Sequence, residues 1–573
     1  MDNQRLLLFF ALALVVMLLW DAWVAKFGPQ PVPPVAIEQT RTLSNDVPLS
    51  ESSPALPVPD EAPIVSDRLG AIPGDPTAEQ QIQVAPEVVV QQPVTQTKTQ
   101  RVRVITDQLD IEIDTVGGDI RAAFLLQYPV SSTTPDKPYP LMGDKLPQFH
   151  VAQSGLLSKQ SAPDHHAVYK AEKTLYRMVE GQNTLTVPLV WTSADGVSVK
   201  KVFTFRRSDF LIDVSHVIAN NSNETWNGRL YQQIQRMEYD EPGKSRLLYT
   251  FTGAAISTPE KPYEKVAFSD MAEWKPNQNY YTGGWVAILQ HYFLTAWIPG
   301  DQEVNHFYTR ALDDARYVVG MTSADKKIVT GDTETVTTQF FVGPKMQHRL
   351  EEIDSNLKLA VDYGWLTFIA QPLFWLLELY HSLVNNWGWS IVLLTLTIKL
   401  AFYPLSAASY RSMGNMRRLA PKFKAIREKY GDDRQRMSQG MMELYKKEKV
   451  NPLSGCWPIL VQIPVFISLY WVLLESVEIR QADFMLWIND LSAKDPYYVL
   501  PLLMGASMYV QQKLSANPSL DPLQQKIMNF LPIIFTGFFM LFPSGLVLYW
   551  VVNNLLSILQ QWYILNKLEK EAK

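Results

Sequence analysis

The sequence is almost free of cysteine, because Cys456 is the only one among 573 residues. One thiol excludes an intramolecular disulfide and any metal site built from several thiolates. Histidine is also scarce, with eight residues, and none has the HExxH spacing of a zinc protease. A phosphate-binding loop ending at Gly243-Lys244-Ser245 is excluded because its first glycine would fall on Glu238. The sequence therefore predicts no metal site, no cofactor and no nucleotide.

The chain also lacks a strong excess of either charge, with a formal net charge of -5 at pH 7. Such a balance does not indicate a nucleic-acid partner. The mean hydropathy of -0.07 would fit a soluble protein of several domains. The apolar residues are distributed very unevenly, however, and their distribution divides the chain into regions of different character.

An apolar segment stands at the start of the chain. Residues 6–20 are uninterrupted apolar residues, and a helix over 6–25 is just long enough to cross a bilayer. A cleaved signal peptide is the alternative, but cleavage after Ala25 would require a small residue at the position of Trp23. We therefore expect a retained transmembrane anchor over residues 1–27.

Residues 28–100 lack aromatic side chains altogether. They contain thirteen prolines and no phenylalanine, tryptophan or tyrosine. Such a stretch cannot bury enough apolar surface to offset the entropy lost on ordering, and its prolines favour an extended chain. We expect a disordered tether, rich in proline and glutamine; the family resemblance given below places it in the periplasm.

Alternating apolar and polar residues begin at Arg101. The runs RVRVITDQLDIEIDTV, VSVKKVFTFRRSDFLIDVSHVIAN and ETVTTQFFVGP show the period of two that is typical of β-strands. Glycine, asparagine and proline separate these runs, so the pattern predicts an antiparallel all-β sandwich over residues 101–345. Seven of the eight histidines lie between residues 150 and 348. We expect them to be ordinary surface and core residues.

The segment after the sandwich is amphipathic. Residues 350–364 place their apolar side chains on one helical face and their charged side chains elsewhere. The apolar members are Leu350, Ile353, Leu357, Ala360 and Val361. Residues 365–377 are apolar but contain Gln371-Pro372, so they make a poor span. We expect an amphipathic helix in the membrane interface over 350–380. A surface helix packed on the soluble domain is the alternative for its first turns.

Five further stretches are candidate membrane spans. They cover residues 387–405, 456–474, 497–510, 527–542 and 545–565. The loop 406–455 carries twelve lysines and arginines, whereas the loop 475–496 carries two. Because cytoplasmic loops are rich in positive charge, the first loop is expected inside the cell and the second outside. Together with the anchor, this orientation predicts six spans, both termini in the cytoplasm and the sandwich outside it.

The basic loop has a helical period of its own. Apolar residues from Leu419 to Tyr430 recur at helical spacing, and a second such series follows the turn at Gly431. We expect a helical hairpin over 407–450. Its methionines are candidates for an adaptable apolar surface, with packing inside the hairpin as the alternative for most of them. They are Met413, Met416, Met437, Met441 and Met442.

Lys399 is a charged residue inside an otherwise apolar span, residues 387–405. A charge at mid-membrane costs about 2.5–3.5 kcal/mol on insertion scales and normally faces a bundle interior or a water-filled cavity. No span offers a mid-membrane carboxylate as partner, although several offer neutral polar groups. The latter are Thr395, Gln462, Gln511, Gln512, Asn553, Asn554 and Ser557. We expect Lys399 to attract negative charge. Snorkelling of its side chain to the cytoplasmic interface is the alternative.

Several long motifs lie beyond residue 350. They are NWGWSIV at 386–392, YPLS at 403–406, NPLSGCWPILVQIPVF at 451–466, ADFMLWINDLSAKDPYYVLP at 482–501, DPLQQKIM at 521–528 and FPSGLVLYWVVNN at 542–554. In these motifs the chain resembles the YidC family of membrane-protein insertases, and the resemblance covers essentially all of 350–565. The anchor, tether and sandwich match the long form found in bacteria with two membranes.

The resemblance implies a membrane α-helical bundle of six transmembrane helices, with a five-helix insertase core over 384–565. It also implies an extracytoplasmic all-β supersandwich that is similar to sugar mutarotases and largely dispensable for insertion. The core would enclose a hydrophilic groove that is open to the cytoplasm and to lipid but closed to the periplasm. The groove positions correspond to Lys399, Thr395, Trp550, Gln462 and Gln512. Many members carry arginine where this chain has Lys399, which keeps the charge but lacks the planar fork of arginine.

The implied function is that of an insertase, with no catalysed reaction. Hydrophobic segments of nascent membrane proteins would pass from the cytoplasm into the bilayer, alone or with the Sec translocon, and would be helped to fold. The expected partners are these client proteins, the lipid bilayer, the Sec translocon and the ribosome. The methionine-bearing hairpin would receive clients, and the hairpin and the basic tail over 566–573 would contact the ribosome. The expected location is the bacterial inner membrane, with the large domain in the periplasm.

Two other functions are compatible with the residues alone. A small-solute transporter would use Lys399 as a counter-charge, but transporters commonly show inverted repeats, and none is visible. A membrane-anchored sugar-binding protein would carry its site in the sandwich, which requires a cluster of histidine and acidic residues.

Overall fold

The structure, a computed structural model, describes residues 100–239, 250–278, 280–431, 433–448, 457–515 and 522–571. The chain divides into two units, residues 1–64 and 65–573, and all described residues belong to the second. The predicted anchor over 1–27 and the predicted tether, apart from Gln100, lie outside the described residues. Residues 451–456 of the motif NPLSGCWPILVQIPVF also lie outside them.

Twenty strands occupy the first part of the described chain. The first ten are β1 (Arg101–Ile105), β2 (Leu109–Asp114), β3 (Ile120–Pro129), β4 (Pro138–Met142), β5 (His150–Ser158), β6 (Lys170–Ala171), β7 (Leu175–Arg177), β8 (Thr184–Thr192), β9 (Val197–Arg206) and β10 (Leu211–Asn220). The other ten are β11 (Trp226–Met237), β12 (Gly253–Ser257), β13 (Glu264–Val266), β14 (Tyr281–Thr282), β15 (Trp285–Leu289), β16 (Phe293–Ile298), β17 (Val304–Ala311), β18 (Arg316–Ser323), β19 (Lys326–Ile328) and β20 (Thr333–Pro344).

These strands pair into two sheets. The larger sheet has the order β14-β17-β18-β11-β5-β3-β2-β1-β7, with β19 added beside β11 and β4 beside β3. The smaller sheet has the order β13-β12-β15-β16-β20-β10-β9-β8-β6. Neighbouring strands run antiparallel, for example β9 with β10 and β5 with β11, whereas β1 and β7 run parallel.

Alternation of side chains explains how the two sheets pack. In β10, Ile212, Val214 and Ile218 are fully buried, whereas the odd-numbered residues between them are partly exposed, as a side-chain period of two requires. Aromatic side chains such as Phe203 and Trp297 fill the core of the sandwich. The predicted antiparallel sandwich is confirmed, and its last strand ends at Pro344.

The segment predicted as one interfacial helix over 350–380 is broken. A short helix, α1 (Gln347–Ile353), is followed by two 3-10 turns at Leu357–Ala360 and Gly364–Leu366. Only then does a longer helix begin, α2 (Thr367–Val384). Gly364 has a φ of 63°, a left-handed conformation that a helix cannot continue through and that glycine adopts at low cost.

The apolar residues of this broken segment are buried. Leu350, Leu357 and Ala360 are each 0% exposed and belong to the same hydrophobic cluster as the strands. The first turns therefore follow the alternative that the sequence left open, a surface helix packed on the soluble domain. Their apolar face is covered within the protein, which favours this alternative over a position in the membrane interface.

Eight further helices follow α2. They are α3 (Trp387–Ala401), α4 (Tyr403–Arg418), α5 (Ala420–Tyr430), α6 (Arg434–Lys447), α7 (Trp457–Glu475), α8 (Val499–Leu514), α9 (Pro522–Phe539) and α10 (Ser544–Glu571). Asn385 ends α2 with a φ of 51°, and the side chain of Asn386 accepts a hydrogen bond of 3.0 Å from the backbone N–H of Trp389 at the start of α3. Both are common signals at helix ends. The segment 566–573, predicted as a separate tail, continues α10 as far as Glu571.

Within the described residues, length and composition qualify no individual helix as a membrane span. The pair α3 and α4, bent by 65° at their junction, qualifies when the two are taken together. Two shorter apolar helical segments are Val461–Glu475 and Lys526–Phe539.

One hydrophobic core runs from the sandwich into the helices. Its buried members include Phe293 and Val342 of the sandwich, Leu377 of α2, Leu473 of α7 and Val547 of α10. The β-region and the helical region are therefore joined by extensive packing as well as by the chain between them.

Candidate functional site

Lys399 reaches a polar side chain on another helix. Its Nζ donates a hydrogen bond of 2.8 Å to Ser557 Oγ on α10. Ser557 Oγ in turn donates to the backbone carbonyl of Asn553, one helical turn earlier, at 2.7 Å. The side chain of Lys399 is partly buried, so the charge is directed toward the interior of the helical region.

A third helix joins the same group of polar side chains. Gln462 on α7 donates from Nε2 to Asn553 Oδ1 at 2.7 Å. Lys399, Ser557, Asn553 and Gln462 thus form a connected polar chain across α3, α10 and α7. We call these four residues the polar chain. Two of the predicted site residues, Lys399 and Gln462, are brought together by it.

Thr395 does not belong to the polar chain, although it lies one turn before Lys399. Its hydroxyl donates to the carbonyl of Ile391 in the same helix at 2.6 Å, and the residue is 1% exposed. Back-bonding of this kind satisfies a threonine hydroxyl inside a helix. The structure therefore places Thr395 beside Lys399 with its polar group bonded inside α3.

Trp550 forms an apolar wall one turn before Asn553. Its ring centroid lies 4.6 Å from that of Phe466 on α7, edge to face, and 5.1 Å from that of Phe539 on α9. Aromatic pairs in these arrangements pack favourably. Trp550 therefore contacts α7 and α9 at one end of the polar chain and contributes shape to the site.

Gln512 lies on α8, apart from the polar chain. Its Oε1 is enclosed without a hydrogen-bond partner among the described residues. Nearby on the same helix, Ser507 accepts a hydrogen bond of 3.1 Å from Asn554 Nδ2. An enclosed amide oxygen of this kind usually has an explanation, such as a water or a bound group.

The five methionines of the predicted hairpin surface do not form one patch. Met416 is buried, whereas Met442 is 59% exposed. Met413 accepts a weak contact from Gln561 Nε2 at 3.6 Å, and Met441 packs with the small cluster around Phe423. Met437 is half-buried on α6.

Two residues of the polar chain were not assigned to the site from the sequence. Asn553 and Ser557 stood among the neutral polar groups of the spans, but nothing singled them out from Asn554. A usable signal was their spacing, because Trp550, Asn553 and Ser557 recur every three to four residues and so share one helical face.

Histidines and acids of the sandwich are bonded inside its core. His150 contacts the carbonyl of Leu141 and the hydroxyl of Thr295, each at 3.0 Å. Asp119 accepts from Gln153 Nε2 at 2.9 Å and is fully enclosed. Burial raises the pKa of Asp119 to about 6, against the opposing effect of Arg121. These groups are buried parts of the core, and the described residues contain no cluster of three or more potential metal ligands.

Comparisons with known proteins identify the family. The family described as YidC periplasmic domain matches residues 101–376, and the family described as 60Kd inner membrane protein matches residues 379–571. The protein named Membrane protein insertase YidC of Thioalkalivibrio sulfidiphilus is 50% identical over 100% of this chain and 100% of its own length. Its namesake of Methylococcus capsulatus is 48% identical over 100% of this chain and 99% of its own length.

Solved structures show weaker similarity. A structure titled as an active YidC insertase covers 81% of this chain and 92% of that chain, with 19% identity and a TM-score of 0.39. A galactose mutarotase-like protein from Lactobacillus casei covers 42% of this chain and 99% of that chain, with 7% identity and a TM-score of 0.30. Identity near 50% over the full length of the relatives decides the family. The chain belongs to the YidC family of membrane protein insertases.

Proposed function

We propose that this insertase moves hydrophobic segments of nascent membrane proteins from the cytoplasm into the bilayer by lowering a barrier, without chemistry. A hydrophobic segment is stable once it lies in lipid, so the main cost is carrying its polar flank through the apolar interior. Polar groups and a cation placed along that path shorten its apolar part. The names of the relatives support an insertase and give no support to a transporter or to a sugar-binding protein.

The observation that carries this mechanism is the environment of Lys399. Its ammonium group binds the neutral hydroxyl of Ser557, and no ion pair with a carboxylate is found for it among the described residues. A cation without a counter-charge attracts a carboxylate of a client. At an effective dielectric constant near 20, two opposite charges about 4 Å apart attract by about 4 kcal/mol. Water in a groove would reduce that energy.

The proposed membrane part has six spans. Five of them correspond to α3, α7, α8, α9 and α10, and the sixth is the anchor over 1–27. Exposed apolar side chains on the outer surfaces of the later helices support this arrangement, because such side chains suit a lipid environment. Examples are Leu502, Phe530, Ile533, Leu559 and Trp562. The positive charge of the loop 406–455 and of the C-terminal end supports placing both termini in the cytoplasm.

Helix α2 is proposed to lie in the membrane interface. Phe374 and Leu377 are buried on one side of it, whereas Phe368, Trp375 and Leu383 are 69%, 61% and 71% exposed. An exposed apolar stripe of this kind suits the boundary between headgroups and acyl chains. The interfacial part of the segment 350–380 is thus restricted to α2.

The hairpin of α5 and α6 is proposed to receive clients and to contact the ribosome together with the basic end of α10. Exposed positive charge on the hairpin supports this proposal. The exposed basic residues include Lys424, Lys429, Arg436 and Lys446. Ribosomal RNA is a negatively charged surface that such groups attract. We also propose that the protein acts together with the Sec translocon. This part of the proposal rests on the family resemblance alone.

The test replaces Lys399 and varies the client. Purified full-length protein in liposomes would be given a small client with acidic residues in its translocated tail, and a matched client with neutral ones. Lys399→Arg should insert both at the wild-type rate, because the charge is kept. Lys399→Ala should slow the acidic client more than the neutral one, and Lys399→Glu should be slowest on the acidic client because like charges repel.

The two clients serve as controls for each other. If Lys399→Glu inserts acidic and neutral tails equally well, the electrostatic mechanism is wrong. The polar chain would then act only as a hydrating path, with Lys399 reaching the interface.

A further inference from the structure

The end of α7 and the residues that follow it contact the sandwich. The carbonyl of Leu474 accepts a hydrogen bond of 2.8 Å from His291 Nε2. Arg480 Nη2 and Gln481 Nε2 both donate to the carbonyl of Pro129, at 2.7 and 3.2 Å. We call residues 474–481 the plug. Its polar contacts come from the end of β3 and from the turn between β15 and β16.

A buried ion pair lies at the start of the plug. Lys345 Nζ and Glu475 Oε2 are 3.1 Å apart, and their side chains are only 4% and 7% exposed. Lys345 directly follows the last strand of the sandwich, and Glu475 is the last residue of α7. Lys265 and Asp362, whose charges also act on Glu475, form an ion pair with each other. The two buried charges are therefore matched one to one.

Arg480 fills an aromatic box at the other end of the plug. Its guanidinium carbon lies 5.6, 6.0 and 5.4 Å from the ring centroids of Tyr139, Tyr292 and Phe293. A cation over several partly desolvated rings is attracted to each of them. Together with Pro129, His291 and Lys345, these three rings form what we call the socket.

The plug is the outer end of a helix that reaches the polar chain. Gln462 lies on α7 and donates to Asn553, which accepts from Ser557, the partner of Lys399. Helix α7 is continuous from Trp457 to Glu475, with Pro464 inside it, and a helix rises about 1.5 Å per residue. Because one end of α7 is held by the socket, a displacement of that end moves Gln462 relative to Asn553.

We propose that the socket is a positioning site for insertion, which holds the outer end of α7 and so sets the place of Gln462 in the polar chain. This inference rests on the proposed function of the polar chain. A buried ion pair adds little stability compared with apolar side chains of the same size, but an arrangement that separates its partners leaves an uncompensated buried charge and is strongly unfavourable. Lys345 and Glu475 are thus suited to fixing a position.

Charge reversal tests the pair. Lys345→Glu and Glu475→Lys, each alone, place two like charges together in a buried site, and each should slow insertion at least about tenfold. The double variant restores the pair and should recover most of the wild-type rate. Lys326→Glu is the matched control, since it makes the same change in a more exposed pair, 3.1 Å from Glu303 at the sandwich surface, and it should insert normally.

A second measurement reports position directly. Cysteines replacing Gln462 and Asn553, in a Cys456→Ser background, can be joined by a short reagent that alkylates two thiols. Cross-linking should fall in each charge-reversal variant and return in the double variant. Arg480→Ala, which leaves the ion pair intact, should lower cross-linking in part, and Arg480→Lys should restore it.

The clients separate this inference from the proposed function. Socket variants should slow acidic and neutral tails equally, because they move a helix and leave the charge of Lys399 unchanged. Wild-type insertion and cross-linking in both single reversals would overturn the inference and leave the polar chain untouched. Slow single variants without recovery in the double variant would also overturn it. A wild-type protein that inserts neither client would contradict the proposed function instead.

Discussion

At the scale of single residues, Glu478 makes the seam between the sandwich and the helices sensitive to pH. It lies in the turn after α7, and its Oε2 is enclosed without a hydrogen-bond partner among the described residues. Burial raises the pKa of Glu478 to about 7, with a further rise from the charge of Glu378 and an opposing effect of His348. Below about pH 7, the neutral carboxyl is therefore the form of Glu478 that the folded protein prefers.

The sign of the effect follows from proton binding. Between the unfolded pKa near 4.5 and the folded pKa near 7, the folded protein binds more protons than the unfolded one, so its stability falls as the pH rises through this window. Glu478→Gln should remove that fall and be more stable than the wild type at about pH 8, by up to about 3 kcal/mol. Thermal unfolding of the full chain in detergent at about pH 5 and about pH 8 measures it. A gain of equal size at both pH values would contradict the titration of Glu478.

Residue type alone singled out Lys399 in the candidate site but not its partner Ser557. A lysine within an apolar run is visible in one dimension, which is why Lys399 could be singled out. Its partner Ser557 could not, because the rotation of α10 relative to α3 is set by packing between distant segments. Thr395 shows the converse, since sequence spacing placed it beside Lys399 but could not show that its hydroxyl bonds to Ile391.

At the scale of elements, few buried apolar residues stabilise the hairpin. Leu419, Phe423 and Leu444 are its buried apolar residues, and they form a small cluster separate from the main core. Few buried contacts make local opening easy. By contrast, α4 is anchored, because Gly414 lies close to Leu565 and Leu568 on α10.

Removing residues 419–448 should therefore abolish insertion without unfolding the rest. The deletion leaves α4 in contact with α10 and takes away the exposed surface proposed to receive clients. Insertion should fall more than about tenfold while the main thermal transition stays in place. Met442→Gln, a change at a single exposed residue, is the mild comparison. Normal insertion by the deletion variant would show that clients reach the polar chain unaided.

Elements whose apolar residues recur with a strong period could be predicted from the sequence. Elements whose structure depends on packing against neighbouring segments could not. The alternating strands and the paired helices of the hairpin follow from local patterns. The break between α1 and α2 does not, because the apolar face of residues 350–361 fits a membrane surface as well as it fits a protein surface. The sandwich was available to cover that face, and only the folded chain shows it.

At the scale of the whole molecule, removing one partner of a buried contact should do more harm than removing a domain. Deleting residues 101–345 takes away the sandwich together with Lys345, so that water can solvate Glu475 and Arg480. Insertion should then fall, because nothing holds the outer end of α7, but it should fall less than in Lys345→Glu, where two like charges in a buried site push that end out of place. Quantifying both proteins in the membrane before comparing insertion rates controls for loss of protein. A stable deletion variant that fails to insert would place an essential part of the activity in the sandwich.

The ion pair between Lys345 and Glu475 also implies an order of folding events during synthesis of the protein. Its partners are 130 residues apart in the chain, and a ribosome makes Lys345 long before Glu475. The socket of the sandwich, outside the cytoplasm, therefore stays empty while α3 to α7 are still being synthesised. In the proposed topology, the socket is filled only when the outer end of α7 has crossed the membrane. A newly made insertase thus depends, for filling its own socket, on the kind of event that it is proposed to perform for others.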